Sequence, residues 1–542
     1  MKKVNILGNR IMIIIISLAL CLLLPSLGFA QTEDSTITKL FRDSYYAIKS
    51  MRNANGVYID ALTVDTGVVD KPGCITANGI GLISLCIADS MYKKTGDSIN
   101  WESDAESLVI NTLSTLIAFK DSNRTNVKGF FPHWFDAESG KKAPGWGIEY
   151  STIDNAIFAM GLIFCKNYFS SNISIAKKVD SLLMDFTAAI SEDGRRLYMV
   201  LDSSGNRVEG TQKGPFNEYM IVAWLAKNVS PQNPGYTKSQ LYWNIYYSDP
   251  KTDSIPKPIY WYYELLSDGG GFISHFISLF TYYYCHYFRN NDDYMEYFRN
   301  VRAADSLWWT KRYPGIDSYE WGLGAGEDPG GGSYSANAID NNPRGIVSPH
   351  IIAGFIPVYP QSKNDLISLY NNVSPSVYSL PDDTSRKVLW RYSREDISLR
   401  CPYIQAVDFS TMLYGLASLP EYLGPNFFDT FNKIDTIFGN IETIDDSIHV
   451  DFRLEQNYPN PFKSATVIRY SLPHRCIVLL EIFNILGQHI QELVNSEQNA
   501  GYQEVTWHPN VSSGIYFYRI VAISTDNPSE QFVESKEMIL LR

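Results

Sequence analysis

The sequence predicts a mainly α-helical protein: an (α/α)6 barrel, six inner helices ringed by six outer ones, followed by a small C-terminal β-sandwich. Three observations lead there. Apolar residues recur at helical spacing in about twelve segments between residues 36 and 420. The connections between those segments are long and rich in Gly, Pro, Trp and Asp, notably 121–150, 191–215, 248–271 and 313–344; connections of that length inside a domain usually carry function. After about Asn440 the texture changes to short β-type runs separated by Pro, Gly and Asn. An irregular α-solenoid is the alternative, but a solenoid keeps its period and this chain does not.

The elements follow in order. Lys2, Lys3 and Arg10 precede an uncharged apolar run from Ile11 to Leu24, and Gly28-Phe29-Ala30 offers small residues where signal peptidase reads. Residues 1–30 are therefore a signal peptide, too short for a comfortable membrane span. Val109, Leu113, Leu116 and Ile117 share one helix face; Ile153, Ile157, Met160, Phe164 and Tyr168 share another; Ile175, Val179, Leu182, Phe186 and Ile190 form a third stripe. Further helices are expected from near Ser35, Thr76, Phe216, Lys238, Phe272, Asp292, Gly345, Ser362 and Asp408. The domains then read as 31–430 for the barrel, 431–450 for a linker and 451–542 for the sandwich. In the last, Val467, Ile468, Val478, Leu480, Ile482, Val505, Ile515, Phe517 and Ile520 sit in strand-like runs.

Charge narrows the function. The 542 residues carry a net charge of −12, and removing the basic leader takes it to −15, so a nucleic-acid surface is excluded for want of clustered Lys and Arg. Aromatics make up 14%, with 36 Tyr and 11 Trp, which suits either core packing or a cleft where rings stack on pyranose faces. Six cysteines remain after the leader: Cys74, Cys86, Cys165, Cys285, Cys401 and Cys476. No CxxC pair is present, so no metal site is expected. Cys165 and Cys285 read as small buried hydrophobes, and Cys74–Cys86 is the nearest pair should a disulfide form.

A glycosidase needs two carboxylates flanking the scissile bond, and three places offer acids among aromatics and glycines near helix starts. In Gly129-Phe130-Phe131-Pro132-His133-Trp134-Phe135-Asp136 and Gly147-Ile148-Glu149-Tyr150-Ser151-Thr152-Ile153-Asp154 the acids are Asp136, Glu149 and Asp154. Asp154 has a plainer use as the capping-box partner of Ser151, and Glu149 as a solvated loop charge. In Pro215-Phe216-Asn217-Glu218-Tyr219-Met220 apolar neighbours would raise the pKa of Glu218, as a general acid requires. Tyr319-Glu320-Trp321-Gly322-Leu323 runs into Glu327-Asp328-Pro329-Gly330-Gly331-Gly332-Ser333-Tyr334. No Lys follows these glycines, so the stretch is a sugar-binding loop in preference to a phosphate loop. Glu218 is thus the expected general acid and Glu149 the base-side carboxylate, with Asp154 and Asp136 assisting. His133, Trp134, Asn217, Tyr219, Tyr319, Trp321 and Tyr334 are the expected substrate contacts.

Two resemblances sharpen this. Leu454-Glu455-Gln456-Asn457-Tyr458-Pro459-Asn460-Pro461-Phe462, Ile468-Arg469-Tyr470-Ser471-Leu472-Pro473, Ile482-Phe483-Asn484-Ile485-Leu486-Gly487, Ser512-Ser513-Gly514-Ile515-Tyr516-Phe517-Tyr518 and the terminal Lys536–Arg542 follow one another as in the sorting domains of the type IX secretion system. That resemblance implies delivery to the cell surface or the medium through the type IX machinery. The blocks Gly129–Asp136, Ser151–Asp154, Asn217–Met220 and Trp321–Leu323 resemble the glycoamylase-like domain family, which includes the β-1,2-glucanases of glycoside hydrolase family 144. The resemblance implies an (α/α)6 barrel that hydrolyses β-1,2-glucan to sophorose or short oligosaccharides without a cofactor. Gly324-Ala325, Asp328-Pro329-Gly330 and the surroundings of Asp408 depart from the family pattern. A polysaccharide lyase on the same barrel and a non-catalytic glycan binder are the competing readings.

Overall fold

The computed structural model describes residues 36–64, 71–122, 124–228, 236–251, 254–267, 275–331 and 334–434, then 452–454, 456–457, 459–498, 501–525 and 530–541. The expected signal peptide, residues 1–30, lies outside them. The chain divides into two units, one ending at Gly439 and the other beginning at Asn440.

The first unit is helical. Its helices are α1 (36–49), α2 (Ile75–Thr95), α3 (Ala105–Asp121), α4 (Thr152–Tyr168), α5 (Ile173–Leu182), α6 (Met220–Asn228) and α7 (Tyr236–Tyr246). They continue as α8 (His275–Tyr284), α9 (His286–Arg289), α10 (Asp292–Arg312), α11 (Pro349–Gly354), α12 (Ser362–Asn372), α13 (Ala406–Ala417) and α14 (Phe427–Phe431). Each of the twelve expected segments has a helix, and the short α9 and α14 are additional. The stripe from Ile175 to Ile190 is not one helix: α5 stops at Leu182, and Asp185 accepts the Thr187 N–H to start a 3-10 turn at Phe186–Ala189. Helix α6 begins four residues after Phe216, which leaves Glu218 in the turn that enters it.

Helix α2 is long and apolar enough to cross a membrane, yet it is buried in the unit; its company explains why. It packs on α4 with the two backbones in contact. A methyl group on Gly161 would lie 2.6 Å from the Gly79 Cα, and one on Gly79 would lie 2.6 Å from the Ile157 carbonyl oxygen. Farther along the same seam Cys86 and Cys165 face each other with their sulfurs 3.6 Å apart. Beyond them, Ser90 and Asp89 both bond the Tyr168 hydroxyl. Cys74 caps the start of α2, so twelve residues at 1.5 Å rise put it about 18 Å from Cys86. The pair nearest in sequence is therefore far apart, and among the described residues the six cysteines are buried and form no disulfide.

Residues 431–434 do not act as linker. Asn432 donates its side-chain amide to the Tyr283 carbonyl, and Ile434 is 3% exposed in the core, so the helical unit extends at least to Ile434. The rest of the expected linker lies outside the described residues, apart from its boundary at Gly439 and Asn440.

The second unit has two antiparallel sheets. One pairs Arg453–Leu454, Thr466–Leu472 and Gly501–Trp507; the other runs His489–Gln498, Cys476–Asn484, Gly514–Ser524 and Gln531–Leu540. Burial alternates along Gly514–Ser524, the period of two that a half-buried strand imposes. Ile468 and Tyr470 from the first sheet share one core with Val478, Leu480, Ile482, Tyr518 and Ile520 from the second. This is the expected sandwich.

The α2–α4 seam supports a direct test. Alanine gains about 1 kcal/mol of helix propensity over glycine, but overpacking a backbone-to-backbone contact costs about 1–3 kcal/mol. Gly161→Ala should therefore lower the urea unfolding midpoint; an unchanged or raised midpoint would show that the helices are not in backbone contact.

Candidate active site

The seam between α2 and α4 also positions the first candidate carboxylate. The Ser151 side chain caps α4 by accepting the Asp154 N–H at 3.3 Å. In a full capping box the third residue would reach back, but the Asp154 carboxylate points elsewhere. Its Oδ1 accepts the Thr76 hydroxyl from the first turn of α2 and lies 3.2 Å from the His133 Nε2. His133 stacks on Trp134 with ring centroids 3.6 Å apart. Trp134 in turn donates its indole N–H to Asp60 at 3.3 Å and packs against Trp146. The strand pair Gly73–Cys74 with Trp134–Phe135 holds this aromatic stack against the start of α2. The His133 backbone N–H donates to the Glu149 carbonyl at 2.7 Å, which brings the Glu149 segment alongside.

Tyr219 feels the charges of three of the expected acids. Its phenol is held well above its usual range, first by burial and then by the negative charges of Glu218, Asp154 and Glu149. Three carboxylates more than sixty residues apart at the extremes thus act on one hydroxyl. Glu218 is half-buried in the turn before α6. Asn217 shapes that turn: its side-chain oxygen accepts the Tyr219 N–H at 3.0 Å and its amide donates to the Gly214 carbonyl at 3.0 Å. At 3% exposure Asn217 is a scaffold for the turn and not a sugar contact.

A further acid, Asp408, closes the other side. It lies in the first turn of α13 and is 3% exposed. Its Oδ1 accepts the Tyr334 hydroxyl at 3.0 Å, and among the described residues its buried Oδ2 has no hydrogen-bond partner. Burial pushes this carboxyl up to about 7, against the pull of the Tyr334 hydroxyl and Arg391, with Asp60 adding to the rise. Tyr334 is 52% exposed as a residue while its hydroxyl is buried, so the ring lies at the surface with its polar end sunk. Burial, Asp408 and, more weakly, Glu218 raise that phenol, which ties the two acids to one site. Asp408 entered the sequence reading as a helix start and as a departure from a family pattern, not as a site residue. The available signal was an acid between Val407 and Phe409 at a helix start.

The glycine-rich stretch is a pinned hairpin. Ala325–Glu327 pairs with Tyr334–Ala336, and the fully buried Arg391 donates to the Glu327 carbonyl at 3.2 Å and lies 3.6 Å from Asp328. Arg344 adds a contact to Asp328 at 3.4 Å. The hairpin is what carries Tyr334 to Asp408.

Three expected residues do not join. Asp136 turns its carboxylate on the Ser139 N–H and hydroxyl, which lower its pKa and spend it on a tight turn. Trp321 is 1% exposed, donates to Asp365 at 2.9 Å and packs on Phe355 and Tyr359, so it belongs to the core and cannot stack on a sugar. Tyr319 hydrogen-bonds Asp317 at 2.8 Å, two residues away, with no contact to the carboxylate group. Among the described residues, one cluster has donors a metal could use: Asp60, Cys74 and His133, with one atom from each lying within 4.8 Å of the others. Burial and the charges of Asp60 and Asp154 hold the Cys74 thiol well above its usual range, which opposes the thiolate that ligation needs.

Residues 456–533 match the family model described as the secretion system C-terminal sorting domain. Among solved structures, the chain is similar to a candidate glucoamylase from Bacteroides uniformis, with 15% identity over 74% of this chain and 94% of that one and a TM-score of 0.59. It is similar to the endo-β-1,2-glucanase from Chitinophaga pinensis in complex with sophorotriose and glucose, with 17% identity, 74% and 94% coverage and a TM-score of 0.59. The endo-β-1,2-glucanase from Talaromyces funiculosus with sophorose matches at 14% identity, 73% and 87% coverage and a TM-score of 0.55. No curated protein matches by sequence. A match over some three quarters of the chain must fall mainly on the helical unit, which therefore shares the fold of these structures.

Asp408 makes stability depend on pH with a definite sign. The unfolded carboxyl releases its proton near pH 4 and the folded one near 7, so the folded state binds more protons between them. Its contribution to stability falls as pH rises through that window and is level above it. The fully buried Asp305, also pushed up to about 7, acts in the same direction. Asp408→Asn should therefore lose less urea resistance than the parent between pH 4 and pH 8, a difference on the order of a few kcal/mol. Parallel curves for the two proteins would contradict this.

Proposed function

We propose that the chain is an exported glycoside hydrolase that cleaves β-1,2-glucan to sophorose or short oligosaccharides on an (α/α)6 barrel. The observation that carries the reading is the gathering of separate acid-bearing segments: Asp154 is held between Thr76 and His133, the Glu149 backbone bonds His133, and the charges of both, with that of Glu218, raise the buried Tyr219 phenol. The fold shared with glucanases bound to sophorose and sophorotriose supports the substrate class. The barrel type is supported by the paired helices and by that same fold. The C-terminal module hands the chain to the type IX machinery, for release or attachment at the surface.

In this reading Glu218 protonates the glycosidic oxygen as the bond to the anomeric carbon breaks. A water attacks that carbon from the opposite face and gives its proton to a carboxylate, which inverts the centre. Glu149 is the base-side residue of the first assignment, with Asp154 held in place by Thr76 and His133. A second assignment gives the base role to Asp408, favoured by an Oδ2 with no partner among the described residues and a carboxyl pushed up to about 7, since a general base works best when poised near the operating pH. His133, Trp134 and the exposed ring of Tyr334 supply flat surfaces for the sugar. Neither assignment requires a cofactor.

The mature chain incubated with β-1,2-glucan should release β-1,2-linked oligosaccharides, resolved by chromatography. Glu218→Gln should cut turnover about 10²–10⁴-fold while leaving the unfolding midpoint intact. Whichever of Glu149→Gln and Asp408→Asn falls comparably identifies the base. An unsaturated uronate product would assign the chain to the lyases, and glucan binding without cleavage would make it a glycan-capture protein.

A further inference from the structure

We infer that the helical unit carries a second carbohydrate-binding groove, formed by the 259–264 hairpin, the last turn of α10 and the loop after Tyr334, and that its ligand is a neutral glucan chain. The observation that starts the argument is backbone strain. Among the described residues, the non-glycine positions with positive φ are Trp261 at 48°, Tyr262 at 72° and Asp340 at 62°. All three lie in or beside one cavity.

The hairpin pairs Ile259–Tyr260 with Tyr263–Glu264, and Tyr260 faces Tyr263 directly. Trp261 and Tyr262 are thus the two loop residues of a tight turn, with φ positive at both. Asn-Gly or Gly-Gly is the usual solution there, because bulky side chains resist the left-handed region. Placing a Trp and a Tyr at those positions makes sense only if their rings are needed at the tip. Packing does not need the Tyr262 ring, which is 84% exposed, and Trp261 is half-buried, resting in part against the core and in part on the cavity. The strain is held by contacts on both flanks. Tyr297 of α10 donates to the Glu264 carboxylate at 2.8 Å, and the Trp261 indole N–H donates to the Asp340 carboxylate at 3.0 Å. Strain that persists because its surroundings over-determine it is characteristic of ligand clamps.

The cavity has a volume of about 530 Å³ and is lined by Trp261, Trp308, Lys311, Arg312, Asp340 and Asn341, among others. That size lies within the range of small-molecule sites, roughly 300–1,000 Å³. Its chemistry is mixed: an indole face, cationic donors from Lys311 and Arg312, an amide from Asn341 and the acceptor oxygens of Asp340. Lys311 and Arg312 have a simpler use as cations at a helix C-terminus, but that does not account for the aromatic tip or for Asp340 opposite them. A phosphate or a uronate would meet the Asp340 carboxylate. A polyhydroxylated neutral ring both donates and accepts, and it offers an apolar face to the indole. No lining residue is shared with the carboxylate site, although the loop bearing Asp340 and Asn341 continues from the hairpin that carries Tyr334. The identity of the glucan rests on the proposed function; the existence of the groove does not.

Titration calorimetry of the full mature chain bearing Glu218→Gln, with β-1,2-gluco-oligosaccharides as the probe, tests the inference. A class of sites is expected whose dissociation constant rises at least tenfold on adding Trp261→Ala. Because that substitution could relax the turn, Lys311→Ala with Arg312→Ala, both at exposed positions, should weaken the same class. No class of sites sensitive to either substitution would overturn the groove. Hydrolysis by the unsubstituted chain is read separately: cleavage without a groove-sensitive class removes the groove alone, and groove-sensitive binding without cleavage removes the hydrolase reading alone.

Discussion

The contact between α2 and α4 at Gly79 and Gly161 is the constraint on which the site depends. Two helices whose backbones touch have no slack to rotate or slide. The first turn of α2 therefore brings Thr76 to Asp154 at the first turn of α4, and Cys74 pairs with the strand that carries Trp134. Asp154 is then shared between a threonine hydroxyl and His133, and its cap geometry is only half closed because its carboxylate is engaged across the seam. A side chain at either glycine would push the helix starts apart. The cost would fall first on these hydrogen bonds, since neither helix could absorb it by repacking a flexible side chain.

Across the site, the hairpin ending in Tyr334 has a different anchor. Arg391 is buried completely, and its charge is met by Asp328 and by backbone carbonyls of the strand it supports. A buried cation of this kind is costly unless paired and hydrogen-bonded, and here it fixes the hairpin instead of facing the solvent. The exposed ring and sunken hydroxyl of Tyr334 follow from that anchoring. They place an aromatic surface beside a carboxyl whose pKa burial has raised.

Much of the fold was legible because its determinants are local. Apolar residues at helical spacing marked twelve helices, and short β-type runs between Pro, Gly and Asn marked the strands of the C-terminal sandwich. Short helices such as α9 and α14 were missed because one turn has no period to read. Helix starts among aromatics marked Glu218, Glu149 and Asp154 as candidates, and the charges of all three act on the Tyr219 phenol. Long-range contacts decided the rest. Trp321 looked like a sugar platform but is drawn into the core by Asp365 and Phe355, and Asp136 is spent on its own turn. Asp408 was not singled out, since only the fold reveals that Tyr334 reaches it and that its second oxygen is buried with no partner among the described residues. The strain at Trp261 and Tyr262 was equally invisible, because composition does not report a positive φ.

The most direct test of the account is a crystal structure of the Glu218→Gln chain with a β-1,2-gluco-oligosaccharide. The account predicts a glycosidic oxygen within hydrogen-bonding distance of residue 218, about 2.6–3.2 Å, with the sugar held between Tyr334 and the His133–Asp154 pair. An oligosaccharide bound only elsewhere on the helical unit, with the space around Tyr219 unvisited, would contradict it.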